Sequence, residues 1–114
     1  MIDPELTRAF NAKPKLDINN LKKMTPSQKD GVKTYGSAAE NLLANKDFAL
    51  FVHHFKFDLA DELSSITGHT VDDNARRISI ANNLAGIDKF VAQLQRAVWF
   101  KGKVVTLQNE PTQD

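Results

Sequence analysis

The stretch "FVHHFKFDLADEL", residues 51–63, holds the side chains that could do chemistry: two histidines and three carboxylates within ten positions. His54 and Asp58 stand four apart, the spacing that sets two ligands on one helical face. His53 and His54 are neighbours, so on a helix they diverge by about 100° and cannot chelate together. His69 belongs to a separate turn, "SSITGH", and the chain has no cysteine to supply a thiolate. Two ligands do not make a zinc site, so no metal and no other cofactor is expected.

Asp58, Asp61 and Glu62 would suit acid–base or magnesium chemistry beside a phosphate-binding loop or a nucleophile dyad. Neither stands near them, and the five glycines form no phosphate-cradling motif. Arg76 and Arg77 offer these acids a structural role as ion-pair partners. "HTVDD" mixes His, Thr and Asp, but helix capping accounts for its Thr70 and Asp73. The expectation is a chain without catalytic residues.

A polyanion is the remaining candidate ligand. Lys46, Lys89, Arg96, Lys101 and Lys103 gather at the open end of the helical pair described below, beside Trp99 and Phe100, and cations interleaved with aromatics can hold phosphates and stack bases. Lys13, Lys15, Lys22 and Lys23 add to them from the N-terminal segment. Against this reading, the 114-residue chain carries a net charge of only +1. The helix that would read bases begins with Asp72 and Asp73. Nucleic-acid binding through those five cations is therefore the alternative function.

The elements that position these residues read as helices. Asn45 can cap a helix over 46–66, with Asp47 in its first turn and Gly68 suited to a left-handed position just past its end. Thr70 caps a second helix over 71–100. Its Ile80, Leu84, Ile87, Val91, Leu94 and Val98 are spaced 4, 3, 4, 3, 4, a heptad seam. A short turn joins the two as an antiparallel hairpin. Upstream, Gly31 and Gly36 weaken a helix interior by about 1 kcal/mol each, so a firm helix is expected only over 37–44, burying Leu42 and Leu43. Residues 1–24 read as an extended basic arm with isolated anchors Phe10, Leu16 and Leu21. Residues 104–114 read as an extended tail, and "KVVTL" at 103–107, which alternates weakly, as a short strand or part of that tail that could add to a partner's sheet. The expected domain layout is thus an arm over 1–24, an all-α domain over 25–103 and a tail.

On the 46–66 helix the apolar residues do not share one side. Phe51, Val52, Phe55, Leu59 and Leu63 fall on one face, while Leu50 and Phe57 point almost opposite. With the Trp99–Phe100 end and the anchored arm, this second stripe asks for apolar cover beyond one hairpin, and contiguous exposed apolar surface marks interfaces. The expected interface set is Phe10, Leu16, Leu21, Leu50, Phe57, Trp99 and Phe100.

Charge is segregated along the chain: seven cations against four acids over 1–36, two against seven over 37–75, and six against one over 76–103. Such blocks are usually solvated faces or complementary neighbours. No apolar run nears the ~20 residues a bilayer crossing needs, and "MIDPELTRAF" has acids where a secretory leader needs positive charge. A cytoplasmic protein with no membrane partner is expected.

"NKDFALFVHHFKFDLADELSSI" followed by "NLAGIDKFVAQLQRA" resembles the helical hairpins of small bacteriophage proteins encoded beside head and packaging genes. The likeness covers about residues 45–98 and rests on pattern, so no functional residue carries over. It implies a virion or morphogenesis accessory component, such as a capsid, portal or tail adaptor, in host cytoplasm and virion. Partners would be further copies of the chain or a larger protein assembly.

Overall fold

Three local hydrogen-bond patterns set where the long helices begin. Thr25 and Gln28 bond reciprocally, the Gln28 amide donating to the Thr25 hydroxyl and the Thr25 amide to the Gln28 side chain. Asn45 accepts from the Phe48 amide at 2.9 Å. Thr70 and Asp73 repeat the first pattern, with amide donations in both directions at 3.1 and 3.2 Å. Each pattern satisfies amides that a helix start leaves without a partner.

The computed structural model describes residues 3–11 and 13–109, the side chains of residues 9–11 excepted. Among the described residues the chain is all-α, as expected. Helix α1 spans Pro4–Asn11, α2 spans Pro26–Ala44, α3 spans Lys46–Ser65 and α4 spans Val71–Asn109, with a 3₁₀ turn at Leu21–Lys23. The residues divide into two compact units, a terminal one of Met1–Glu40 with Gln95–Asp114 and a central one of Asn41–Leu94.

In the central unit α3 and the first part of α4 run antiparallel. Ile66 packs with Ile80, Lys56 reaches Asp88, and Phe48 meets Phe90, so the α4 number rises as the α3 number falls. Leu59, Ile66 and Ile80 form its buried core, with Leu63 and Leu84 packed against them. The partly or fully buried α4 positions here are Asp73, Arg77, Ile80, Leu84, Ile87, Val91 and Leu94, which continue the heptad seam toward the helix start. Lys56 occupies a place on the α3 side of this seam and ends in a 2.8 Å ion pair with Asp88.

The joint between these helices differs from expectation in two ways. Helix α3 closes on Ile66, whose extended backbone still donates its N–H to the Leu63 carbonyl, and no described residue has a positive φ. At Gly68 the tight neighbour is the Asp73 carboxylate, which would have to shift to admit a Cβ. Arg77 does not pair with the acids of α3. Its guanidinium donates to the carbonyls of Ile66 and Gly68 and to the Asn74 side chain, tying the turn to α4.

In the terminal unit α2 runs antiparallel to the last part of α4. Lys33 donates to Gln108, and Lys101 pairs with Glu40. Leu21, Val32, Phe100 and Val104 form the core, with Leu16, Met24 and Leu107 against it. Helix α2 therefore starts at Pro26 and crosses Gly31 and Gly36 without interruption, because burying Val32 outweighs their poor propensity. The same core corrects the C-terminal reading. "KVVTL" is helical, since Phe100, Val104 and Leu107 at steps of 4 and 3 share a buried face and override β-propensity. Leu21 and Leu16 lie on this core, so the arm is anchored on the chain's own helices. Leu42, expected inside, is exposed.

Gly36 lets α2 approach α4 closely: an added Cβ would lie 2.8 Å from the Ala97 carbonyl and would collide with the Lys101 side chain. Gly36→Ala is expected to lower the thermal unfolding midpoint, although alanine outranks glycine by about 1 kcal/mol in an open helix. Gly86→Ala meets nothing within 4 Å and is expected to raise the midpoint. Melting followed by circular dichroism compares the two, and an equal rise at both sites would contradict the close approach.

Hydrogen bonding by the Thr70 side chain, then by its amide, holds the Asp73 carboxyl below its ordinary value of 3.8, with smaller help from Arg77 and Arg76. A carboxyl lowered on folding adds stability that is present above the unfolded value and is lost as pH falls through the folded one. Stability should thus decline with acidification below pH 3.8, and Asp73→Ala should flatten that decline. Urea unfolding at neutral and acid pH measures it.

Candidate functional site

Four exposed large apolar side chains fall between residues 50 and 57 of α3. Phe51 is 71% exposed, Phe57 67%, Leu50 48% and Phe55 47%. Helix geometry explains why they stay outside. The seam toward α4 passes through Val52, Leu59 and Leu63, and Leu50 and Phe57 stand about 140° around the helix from it. Phe51 and Phe55 sit at the seam's edge. They were expected on the buried face, but α4 covers only the strip centred on Val52 and Leu59. His54 lies between the two exposed groups and meets the Phe51 ring edge-on at 6.4 Å.

Of the expected interface residues, Leu50, Phe57 and Trp99 are exposed. Leu21 and Phe100 are each 3% exposed and belong to the terminal core, so their surface is already used within the chain. Leu16 is half-buried against that core. The Phe10 side chain lies outside the described residues. Trp99 is 46% exposed, packs edge-on against Phe100 at 5.0 Å and carries the Lys103 ammonium 5.2 Å above its ring.

The five candidate phosphate ligands are not equivalent. Arg96 donates to the Leu16 carbonyl at 2.8 Å and stacks over Phe100. Lys101 is engaged with Glu40, and Lys103 lies over Trp99. Lys46 and Lys89 are exposed and belong to the central unit, whereas the other three belong to the terminal one. The terminal unit also has a groove of about 590 Å³ lined by Lys13, Lys15 and Lys23 over Met24 and Val32. Gln28 also lines that groove, and its amide is already bonded to the Thr25 hydroxyl.

The constellation of histidines and acids does not assemble into a centre. Among the described residues no three His, Asp or Glu side chains could share a metal ion, and no buried side-chain nitrogen or oxygen lacks a partner. Nor is any described helix long and apolar enough to cross a membrane. No family model, curated protein or solved structure matches the chain.

The two aromatic neighbours at the α4 end should separate in stability. Phe100→Ala is expected to cost about 3–5 kcal/mol, as truncating a buried aromatic does, and Trp99→Ala much less. Denaturant unfolding of both variants tests this, and equal losses would place Trp99 inside the core as well.

Proposed function

We propose that this chain is a non-enzymatic assembly protein that works through apolar helical surface, chiefly the outer side of α3. The observation that carries the reading is the exposure of four large apolar side chains on α3, Leu50 and Phe57 on its outer side and Phe51 and Phe55 at the edge of the α4 seam, each about half or more exposed. Apolar patches of this kind mark protein–protein contacts. Burying one such side chain contributes about 1.5–3 kcal/mol, so a partner that covers several gains enough to offset the entropy of association. The likeness of the hairpin to small bacteriophage head and packaging proteins favours a virion or morphogenesis setting for that assembly. Binding of nucleic acid has less support, because Arg96 and Lys101 already spend their charge inside the terminal unit.

Light scattering across concentration, at low and high salt, tests the reading on the full chain. A defined oligomer is expected that responds little to salt and is abolished by Phe57→Asp while circular dichroism stays unchanged. A chain that remains monomeric throughout, or a variant that loses its helicity, would overturn it. The latter result would put Phe57 in the intramolecular core.

A further inference from the structure

The outer side of α3 carries more than apolar residues. Lys46, Leu50, His53, Phe57, Asp61 and Ser64 follow one another at steps of 4, 3, 4, 4 and 3, a second seam on the same helix. Every one of these side chains is exposed. Lys46 at one end of the seam and Asp61 near the other enter no ion pair among the described residues, where the pairs are Lys33–Asp30, Lys56–Asp88 and Lys101–Glu40.

Resting on the assembly reading above, we infer that the occupant of this seam is α3 of a second copy, lying antiparallel about a two-fold axis between His53 and His54. The sequence of the stripe is self-complementary in that register. Leu50 meets Phe57 of the second copy and Phe57 meets its Leu50. Lys46 meets the other copy's Asp61, and Asp61 its Lys46. A two-fold interface requires this reciprocity, each contact occurring twice. The flanking charges fit too: Asp58 falls opposite Ala49, Asp47 opposite Ala60 and Glu62 opposite Asn45. A parallel pairing would instead set Lys46 on Lys46 and Asp61 on Asp61, which like-charge repulsion disfavours.

The helix ends give a second, independent argument. Within its own helix each of these charges is badly placed. Lys46 is the first residue of α3 and faces the positive end of the macrodipole, while Asp61 stands near the negative end. Antiparallel pairing reverses both relations, bringing Lys46 to the C-terminal end of the other α3 and Asp61 to its N-terminal end. The α4 seam lies on the other side of α3, so both contacts fit on one helix. One helix pair of this length buries less than the roughly 1,200 Å² of total surface typical of stable complexes, so the dimer is expected to exchange with monomer.

Charge reversal tests the register. Sedimentation velocity on the full chain, with Lys46→Glu, Asp61→Lys and the double variant, measures the dimer dissociation constant. Each single reversal is expected to weaken the dimer by about tenfold, since it sets like charges together at both ends, and the double variant is expected to restore it. Circular dichroism of each variant is expected to match the parent chain, which separates a weakened dimer from a lost helix. An oligomer dissolved by Phe57→Asp but indifferent to both reversals would overturn the antiparallel pairing and leave the assembly reading standing. A trimer or larger ring would also overturn it. A monomer at all concentrations would overturn both.

Discussion

One continuous apolar stripe on α4 is the constraint on which the other elements depend. Over its 39 residues the helix supplies Ile80 and Leu84 to the central core and Phe100 and Val104 to the terminal core. Buried positions step 4, 3, 4, 3, 4, 3 from Asp73 to Leu94, then 3, 3, 4, 3 through Ala97, Phe100, Val104 and Leu107. Three consecutive steps of three, from Val91 to Phe100, shift the stripe by one residue, as stammers do in a coiled coil. The shift occurs where the helix stops packing on α3 and begins packing on α2 and the segment around Leu21. The other helices take their place from whichever stretch of this stripe they cover.

That dependence explains what could be read in advance. The seam from Ile80 to Leu94, the caps at Asn45 and Thr70 and the antiparallel pairing of α3 with α4 were all legible, because each rests on spacing or on a local hydrogen bond. The ends of α2 and α4 were not. Gly31, Gly36 and the β-branched pair Val104–Val105 argue locally against helix, and only the distant burial of Val32 and Val104 against Leu21 and Phe100 overrules them. A contact between residue 21 and residue 104 leaves no trace in any short window. The same missing information put Leu21 and Phe100 among the interface residues: their apolarity was visible, but the chain's own cover for them was not.

The polar side chains show a similar division between local and distant causes. Thr70, Asp73 and Asn45 do what their positions announce. Arg77 does not, because the carbonyls left open where α3 ends need donors more than the solvated acids of α3 need a cation. A buried carbonyl without a partner costs about 1–3 kcal/mol, whereas a surface ion pair contributes about 0–1. The guanidinium therefore closes the turn, and Asp58, Asp61 and Glu62 remain in solvent. What had looked like a possible acid–base cluster is a solvated strip beside an apolar one.

The two sides of α3 are consequently built for different kinds of neighbour. The side facing α4 is apolar at Val52, Leu59 and Leu63 and tolerates one charge, Lys56, which leaves the seam to pair with Asp88. The outer side alternates large apolar residues with histidine and with opposite charges toward its two ends. A surface meant only to stay in water has no need of Leu50 and Phe57 one heptad apart, and a surface meant for this chain's core would not leave Lys46 and Asp61 without an ion pair among the described residues. Apolar residues in the middle supply affinity, and the terminal charges choose direction, since they attract in one alignment and repel in the other. The fold leaves that side uncovered because α4 packs on the opposite side of α3 and, after Leu94, on α2 and the Leu21 segment, and the reciprocal order of apolar and charged positions suits it to a second α3.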